Sequence, residues 1–353
     1  MQKIENIEFL RIILIIGILC THAFHSAKWA FWRVVDAPVL TALKNSPNFG
    51  MNAVEGFFLI AGFFLVYKFK DVDFKTFALN KYLRLVPLVI FSTILCVCLY
   101  PLHWFPLRIT GDILSAFLLN NFGICWTKAT NQDLWFSSAL FSALLLYFPI
   151  IKLKSEKIRK LIALAVVVFC YILLEILRKG IYATPFQNYY GIINIGFIRA
   201  VGGVGLGCIL CWIYKKYLKG FCFKYQSAIY SILEIFTFGG MVYWLFLPHC
   251  KISNFVFVID FAVLLMLFVQ TQGFLSKLLE KIKWSYFSRY IYSIYVTHFI
   301  SGFILCNYLY KAHPGFVSNY PVGALIISFV FFVLFGILTY HIIERPIRNI
   351  LSY

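Results

Sequence analysis

The chain has 353 residues, of which 61% are hydrophobic and 13% charged. A soluble domain carries about 25% charged residues, so a water-soluble fold is excluded. The net charge of +18 would suit a polyanion binder, but the lysines and arginines gather in alternate connecting segments between apolar blocks. That is the pattern membrane topology imposes, and it excludes nucleic acid as a partner.

The apolar blocks have roughly the length a helix needs to cross a bilayer, and backbone polar groups in lipid must be satisfied within the segment. The predicted fold class is all-α: a polytopic membrane helix bundle of about ten transmembrane helices, both termini cytoplasmic, in a single membrane domain over 1–353. The first block carries Arg11 and has no convincing cleavage site, so it reads as a retained span.

The first span, 7–24, holds Arg11 and His22. Helical steps of about 100° return the two to one face, about 16 Å apart along the axis. Arg11 sits near the inner end and His22 near the outer. The plainer reading is a snorkelling arginine and a histidine satisfied by a neighbour. Span 51–67 carries Glu55 just below its outer end, at a depth similar to His22. A carboxylate there would orient the imidazole and suit a general base that accepts a hydroxyl proton.

Lys81 and Arg84 open span 84–101 in "NKYLRLVPL", one turn apart on one face. With Arg11 and Arg345 they form a cationic mouth for an anionic cytosolic ligand. The following outer segment contains "RITGDILSAFLLNNFG", predicted to lie along the interface as an amphipathic helix. Spans 133–150, 158–177 and 191–213 come next. In the last, the glycines of "GGVGLG" favour close helix packing over a dinucleotide loop, because no strand precedes them. Cys208 and Cys211 form a CxxC inside the same span, where a redox or zinc role is weakly supported. Arg199, in that span, and Asp260, in span 252–271 beyond span 228–247, lie at similar depths and are expected to pair.

Span 289–310 contains "YSIYVTHF", with Ser293, Tyr295 and His298; the last two are close enough to touch. Span 321–343 runs into "HIIERPIR", where Glu344 and Arg348 are favourably spaced. Pro346 disfavours helical geometry in the residue before it. Cys125 and Cys250 fall in outer loops and are read as unpaired. No P-loop, HExxH or GxSxG is present, so an ATP-driven pump, a metal site and a serine-hydrolase elbow are not expected.

These pieces, in this order, resemble the membrane-bound acyltransferase family 3 over nearly the whole chain. "IEFLRIILIIGILCTHAF" is similar to the family's first helix with its Arg-x10-His spacing, and "VEGFFLIAGFFL" to its Phe-Phe-x-x-Ser-Gly-Phe helix with Glu55 at the acidic position. "KYLRLVPL" resembles the Arg-x-x-Arg segment, "LWFSSALF" the segment around Trp135, and "RAVGGVGLG" the Arg-plus-Gly helix around Arg199. "YSIYVTHF" and the closing "ERP" complete the set. Ala61 stands where the family usually has Ser, and Lys81 replaces the first Arg, keeping the charge but losing the planar fork.

The resemblance implies an integral membrane acyltransferase of the cell (inner) membrane. It would move an acyl group, by default acetyl, from cytosolic acyl-CoA to a hydroxyl of a cell-surface glycan or lipid-linked saccharide. No tightly bound cofactor is implied; acetyl-CoA is the donor substrate. Catalysis falls to His22 and Glu55, donor binding to Arg11, Lys81, Arg84 and Arg345, and acceptor or structural roles to Trp135, Arg199, Ser293, Tyr295, His298 and Glu344. Direct transfer and a covalent acyl-histidine both fit. The main alternative is a transporter of a glycan or small anion, which explains buried ionisable groups as a translocation path.

Overall fold

The structure, a computed structural model, describes residues 4–31, 50–99, 108–119, 129–177, 188–189, 193–246 and 251–351. Long helices α1 (Glu5–Phe31), α2 (Gly50–Tyr67) and α3 (Phe74–Leu99) come first. After the short α4 (Ile109–Ala116), a 3-10 turn at Gln132–Leu134 leads into α5 (Trp135–Lys152) and α6 (Glu156–Ile176). A two-residue antiparallel pair, β1 (Asn188–Tyr189) with β2 (Ile193–Asn194), precedes α7 (Ile195–Ile213). Then follow α8 (Gln226–Phe246), α9 (Lys251–Gln270), α10 (Phe274–Glu280), α11 (Ser285–Ser288), α12 (Ile291–Leu305), α13 (Pro314–Asn319), α14 (Pro321–Thr339) and α15 (Arg345–Leu351).

Each expected span falls on one of these helices. Among the described residues, six helices are long and apolar enough to cross a membrane, and a seventh arises if α9 and α10, bent by 62°, are taken as one. The figure of about ten is reached only by adding α2, α6 and α12. Asn52–Tyr67 is apolar but short, α6 carries Glu156, Lys157, Arg159, Lys160 and Glu175, and α12 has 15 residues.

Burial sorts the helices into two groups. The apolar windows of α5 and α7 are 72% and 78% buried, whereas those of α3, α8 and α14 are 22–28% buried. The outer helices turn large apolar side chains outward at helical spacing: Leu161, Leu164, Val168 and Ile172 on α6, and Val322, Ile326, Val330 and Leu334 on α14. Stripes this extensive are intolerable in water and expected against lipid tails.

At the centre, α2 lies against α7. The glycine reading holds: a Cβ on Gly62 would stand 1.9 Å from the Val204 carbonyl oxygen, and one on Gly207 2.1 Å from that of Leu59. Only glycine allows the two backbones this approach. Cys208 and Cys211 are buried free thiols in the same packing, while Cys125 and Cys250 lie outside the described residues.

Helix ends are anchored by polar groups. Asp73 caps α3 by accepting from the Thr76 amide at 2.9 Å and its hydroxyl at 2.6 Å. The buried Glu234 carboxylate on α8 accepts from the amides of Gly273 (3.2 Å) and Ser276 (3.0 Å), capping α10 beyond the bend. The expected amphipathic segment does form a helix, α4, but it is short. It buries Gly111, Asp112 and Ser115 and exposes Ile109 and Ile113, because Asp112 finds polar partners on the protein side.

The reading of Pro346 as a local helix breaker is corrected: Arg345 is helical at φ −65°, ψ −46°. The preceding turn, Tyr340–Glu344, is a π-turn, and the Arg345 amide bonds to the Tyr340 carbonyl five residues back. The wider turn lets the chain stay helical up to the proline ring.

Candidate active site

Asp133 lies on the turn that opens α5, and its position is set by its neighbours. Its amide donates to the Asn131 side-chain oxygen at 3.1 Å, and its carbonyl accepts from the Tyr295 hydroxyl. The Asn131 side-chain amide in turn donates to Ser92 Oγ at 2.8 Å and to the Val296 carbonyl at 3.0 Å, stitching the turn to α3 and α12. Thr130 donates through its amide (2.7 Å) and hydroxyl (2.6 Å) to the Asp112 carboxylate. A carboxylate on a turn fastened to three helices is preorganised.

That carboxylate meets two histidines. His298 Nε2, on α12, is 3.1 Å from Asp133 Oδ2, and His22 Nδ1, on α1, is 3.7 Å from the same oxygen. The imidazole rings meet edge to face with centroids 4.4 Å apart. His298 is fully buried, whereas the His22 side chain keeps a quarter of its surface accessible. His298 Nδ1 faces the Tyr295 carbonyl oxygen. A carbonyl only accepts, so Nδ1 carries the proton. The predicted contact of Tyr295 with His298 is present, with ring centroids 5.6 Å apart. One donor atom from each of His22, Asp133 and His298 lies within 4.8 Å of the others, so the trio has the spacing to hold a metal ion.

Two expected pairings are corrected. Glu55 does not orient His22. Its Oε1 takes Arg199 Nε at 2.8 Å and another guanidinium nitrogen at 2.7 Å, with both side chains essentially inaccessible. Arg199 therefore does not pair with Asp260, which lies beside Gly240 on α8, its carboxylate about 3 Å from where a Cβ would stand. Which helices neighbour each other, and not depth along the bundle, decides contact. The Arg199 guanidinium is 5.3 Å from the Trp135 ring centroid, so the pair and the Asp133 turn adjoin through Trp135.

The residues expected at the cationic mouth gather where α1 begins. Arg11 donates to Glu8 Oε2 at 2.8 Å, and the same oxygen accepts from Ser288 Oγ at 2.6 Å. Arg84 shares its electrostatic surroundings with Arg11, Glu344, Arg348 and Tyr292. It is exposed. The Ser293 hydroxyl donates to Glu344 Oε2. Lys81 is half-buried, its ammonium 5.4 Å from the Phe77 ring centroid. Arg345 is exposed, and its side chain makes no hydrogen bond or ion pair among the described residues. The mouth is thus basic but interleaved with Glu8 and Glu344, and Arg84 and Arg345 are exposed cations in it.

Sequence reasoning missed Asp133. The signal was an acid two residues before Trp135 in "NQDLWF", at the mouth of an apolar span.

Residues 4–341 match the protein family described as an acyltransferase domain. No curated protein and no solved structure matches the chain significantly.

Proposed function

Because the chain belongs to the acyltransferase family 3, we propose that it is the multi-pass enzyme of a bacterial inner membrane that transfers an acyl group, by default acetyl, from cytosolic acyl-CoA to a hydroxyl of a surface glycan or lipid-linked saccharide. The observation that carries this reading is the convergence of a partly accessible His22 on Asp133, on the same helix that presents Arg11 at its other end. One helix links a basic cluster to a base–acid pair about 16 Å away.

In this reading Arg84, with Arg11, Lys81 and Arg345, receives the phosphates of the donor, and its flexible arm runs along α1 toward His22. His22 takes the proton of the acceptor hydroxyl. The oxygen attacks the thioester carbonyl, the C–S bond breaks, and the proton passes from His22 to the departing thiolate. A first attack by His22 itself, giving an acyl-histidine, uses the same groups. Asp133 orients the imidazole and balances its positive charge; its 3.7 Å separation is the loose contact expected before substrate arrives. Glu55 with Arg199 holds α2 to α7, and Trp135 bridges that pair to the Asp133 turn.

The test is transfer of radiolabelled acetyl from acetyl-CoA to the glycan fraction of membranes containing the protein. Label should appear with the wild type and vanish with His22→Ala. Equal labelling by the two, or none from the wild type alongside uptake of free glycan into vesicles, would overturn the proposal.

A further inference from the structure

The buried face of the site carries an electrostatic demand that a general base alone does not meet. His298 Nδ1–H donates a hydrogen bond to the Tyr295 carbonyl. In the neutral ring the other nitrogen, Nε2, then presents a lone pair, and it points at Asp133 Oδ2 from 3.1 Å. Two electron-rich atoms face each other this closely inside a protein only with a cation between or beside them, either a second proton or a metal ion.

The geometry suits the metal. An ion held at about 2.0–2.1 Å by each donor spaces tetrahedral ligands about 3.3 Å apart. The two edges that meet at Asp133 Oδ2 are 3.1 and 3.7 Å, and all three donors lie within 4.8 Å of one another. Two imidazoles and one carboxylate are the ligand set of zinc-type ions, whereas magnesium and calcium favour all-oxygen sites. The Tyr295 carbonyl on the far nitrogen of His298 fixes the tautomer a ligating histidine needs. Asp133 is held through its backbone and through Asn131, so the carboxylate has little freedom to lose on binding. The partial accessibility of His22 gives the ion a way in.

We propose that His22, Asp133 and His298 form a binding site for a first-row divalent ion of the zinc type, and that its occupancy competes with the action of His22 as a base. The competition rests on the acyl-transfer reading above; the site does not. With Nδ1, the nitrogen that faces Asp133, on the metal, the neutral ring carries its one proton on Nε2, so no lone pair is left to take the acceptor's proton and zinc acts here as a reversible inhibitor.

The experiment uses the full chain purified in detergent and stripped with a chelator that is then removed. Zinc chloride and cobalt(II) chloride are added separately. Metal per chain is measured by atomic emission, and cobalt coordination by its visible d–d absorption. Acetyl transfer is measured in the same samples with and without zinc. About one zinc per chain is expected, with a tetrahedral-type cobalt spectrum, and at least tenfold weaker binding in Asp133→Asn and in His298→Gln. Transfer should fall as zinc occupancy rises and return with chelator. The cobalt spectrum of the wild type and the zinc-dependent rise of its melting temperature test the site even where a variant folds poorly. No retained zinc, or zinc held equally by both variants, would overturn the site. A stripped enzyme that is inactive until zinc is restored would overturn the competition. Zinc bound as expected with no acetyl transfer under any condition would leave the site standing and sink the acyl-transfer reading instead.

Discussion

Glu55 and Arg199 form an ion pair sealed inside the bundle, with Oε1 and a guanidinium nitrogen 2.7 Å apart and side-chain exposures of 1% and 0%. The pair joins α2 to α7 at the interface where Gly62 and Gly207 bring the backbones together. Its main consequence is structural: removing one partner strands a charge in a place with no water.

Glu55→Ala and Arg199→Ala should each cost about 3–5 kcal/mol of stability. Thermal unfolding of purified protein in detergent, followed by loss of monodisperse material, checks this. Loss of transfer in Glu55→Ala should track loss of folded protein. A fully folded but inactive Glu55→Ala would return Glu55 to the chemistry.

His22→Ala should lower acyl transfer by on the order of 10²-fold or more, the usual contribution of a positioned base. Asp133→Asn keeps the shape of the side chain and removes the charge that supports the imidazolium. It should lower kcat at least about tenfold while leaving donor KM nearly unchanged. Initial-rate kinetics at saturating acceptor separate the two parameters. A raised donor KM with normal kcat in Asp133→Asn would assign that residue to binding.

Arg84→Ala should act in the opposite sense, raising donor KM with little change in kcat. Loss of one charge-assisted hydrogen bond is worth about 1.5–3 kcal/mol. Arg84→Lys should recover part of the affinity, because it keeps charge without the fork. Titration of a non-hydrolysable acyl-CoA analogue into purified protein measures the change directly.

Gly62→Ala should destabilise the bundle, since its Cβ would meet the Val204 carbonyl at 1.9 Å and backbone on both sides resists moving. Overpacking of this kind costs about 1–3 kcal/mol. Gly239→Ala, where a Cβ meets nothing within 4 Å, is the matched control. Equal melting temperatures for the two variants would show that the α2–α7 contact is looser than described.

Asp73, on the surface before α3, should lend stability only above acid pH. Its carboxyl lies below the ordinary carboxylate range because the Thr76 hydroxyl, and then its amide, donate to the charged form. A carboxyl depressed by folding contributes fully above its unfolded value of about 4. That contribution fades as pH falls through the lower folded value. Asp73→Asn should melt slightly lower than wild type at neutral pH, with the gap closing at strongly acid pH. A gap independent of pH would assign the effect to something other than charge.

The helices were legible because span length and polarity are local properties of a chain. His22, Glu55, Arg199 and His298 each drew attention for the same local reason, an ionisable group where apolar ones belong. Their partners were not legible. Arg11 and His22 share a helix, so their relation follows from the helical repeat. His22 and Asp133 meet only through the arrangement of α1, α5 and α12, on which periodicity is silent. Asp133 stood at the edge of an apolar block, where an acid is unremarkable, and its importance comes from the Asn131 and Tyr295 bonds that aim it. Glu55 and Arg199 were each assigned the wrong neighbour because depth fixes one coordinate of three.

The widened turn at Tyr340–Glu344 has a consequence for how the last helix presents its charges. Five residues there do the work of fewer, which offsets the angular phase of everything downstream by about 100° per extra residue. With that offset Glu344 bonds to Ser293, Arg345 is exposed, and Arg348 reaches back to the Tyr340 hydroxyl at 3.3 Å. Deleting Ile342 from this turn would remove none of those side chains, yet it would rotate the proline and both arginines out of phase with the groups they border.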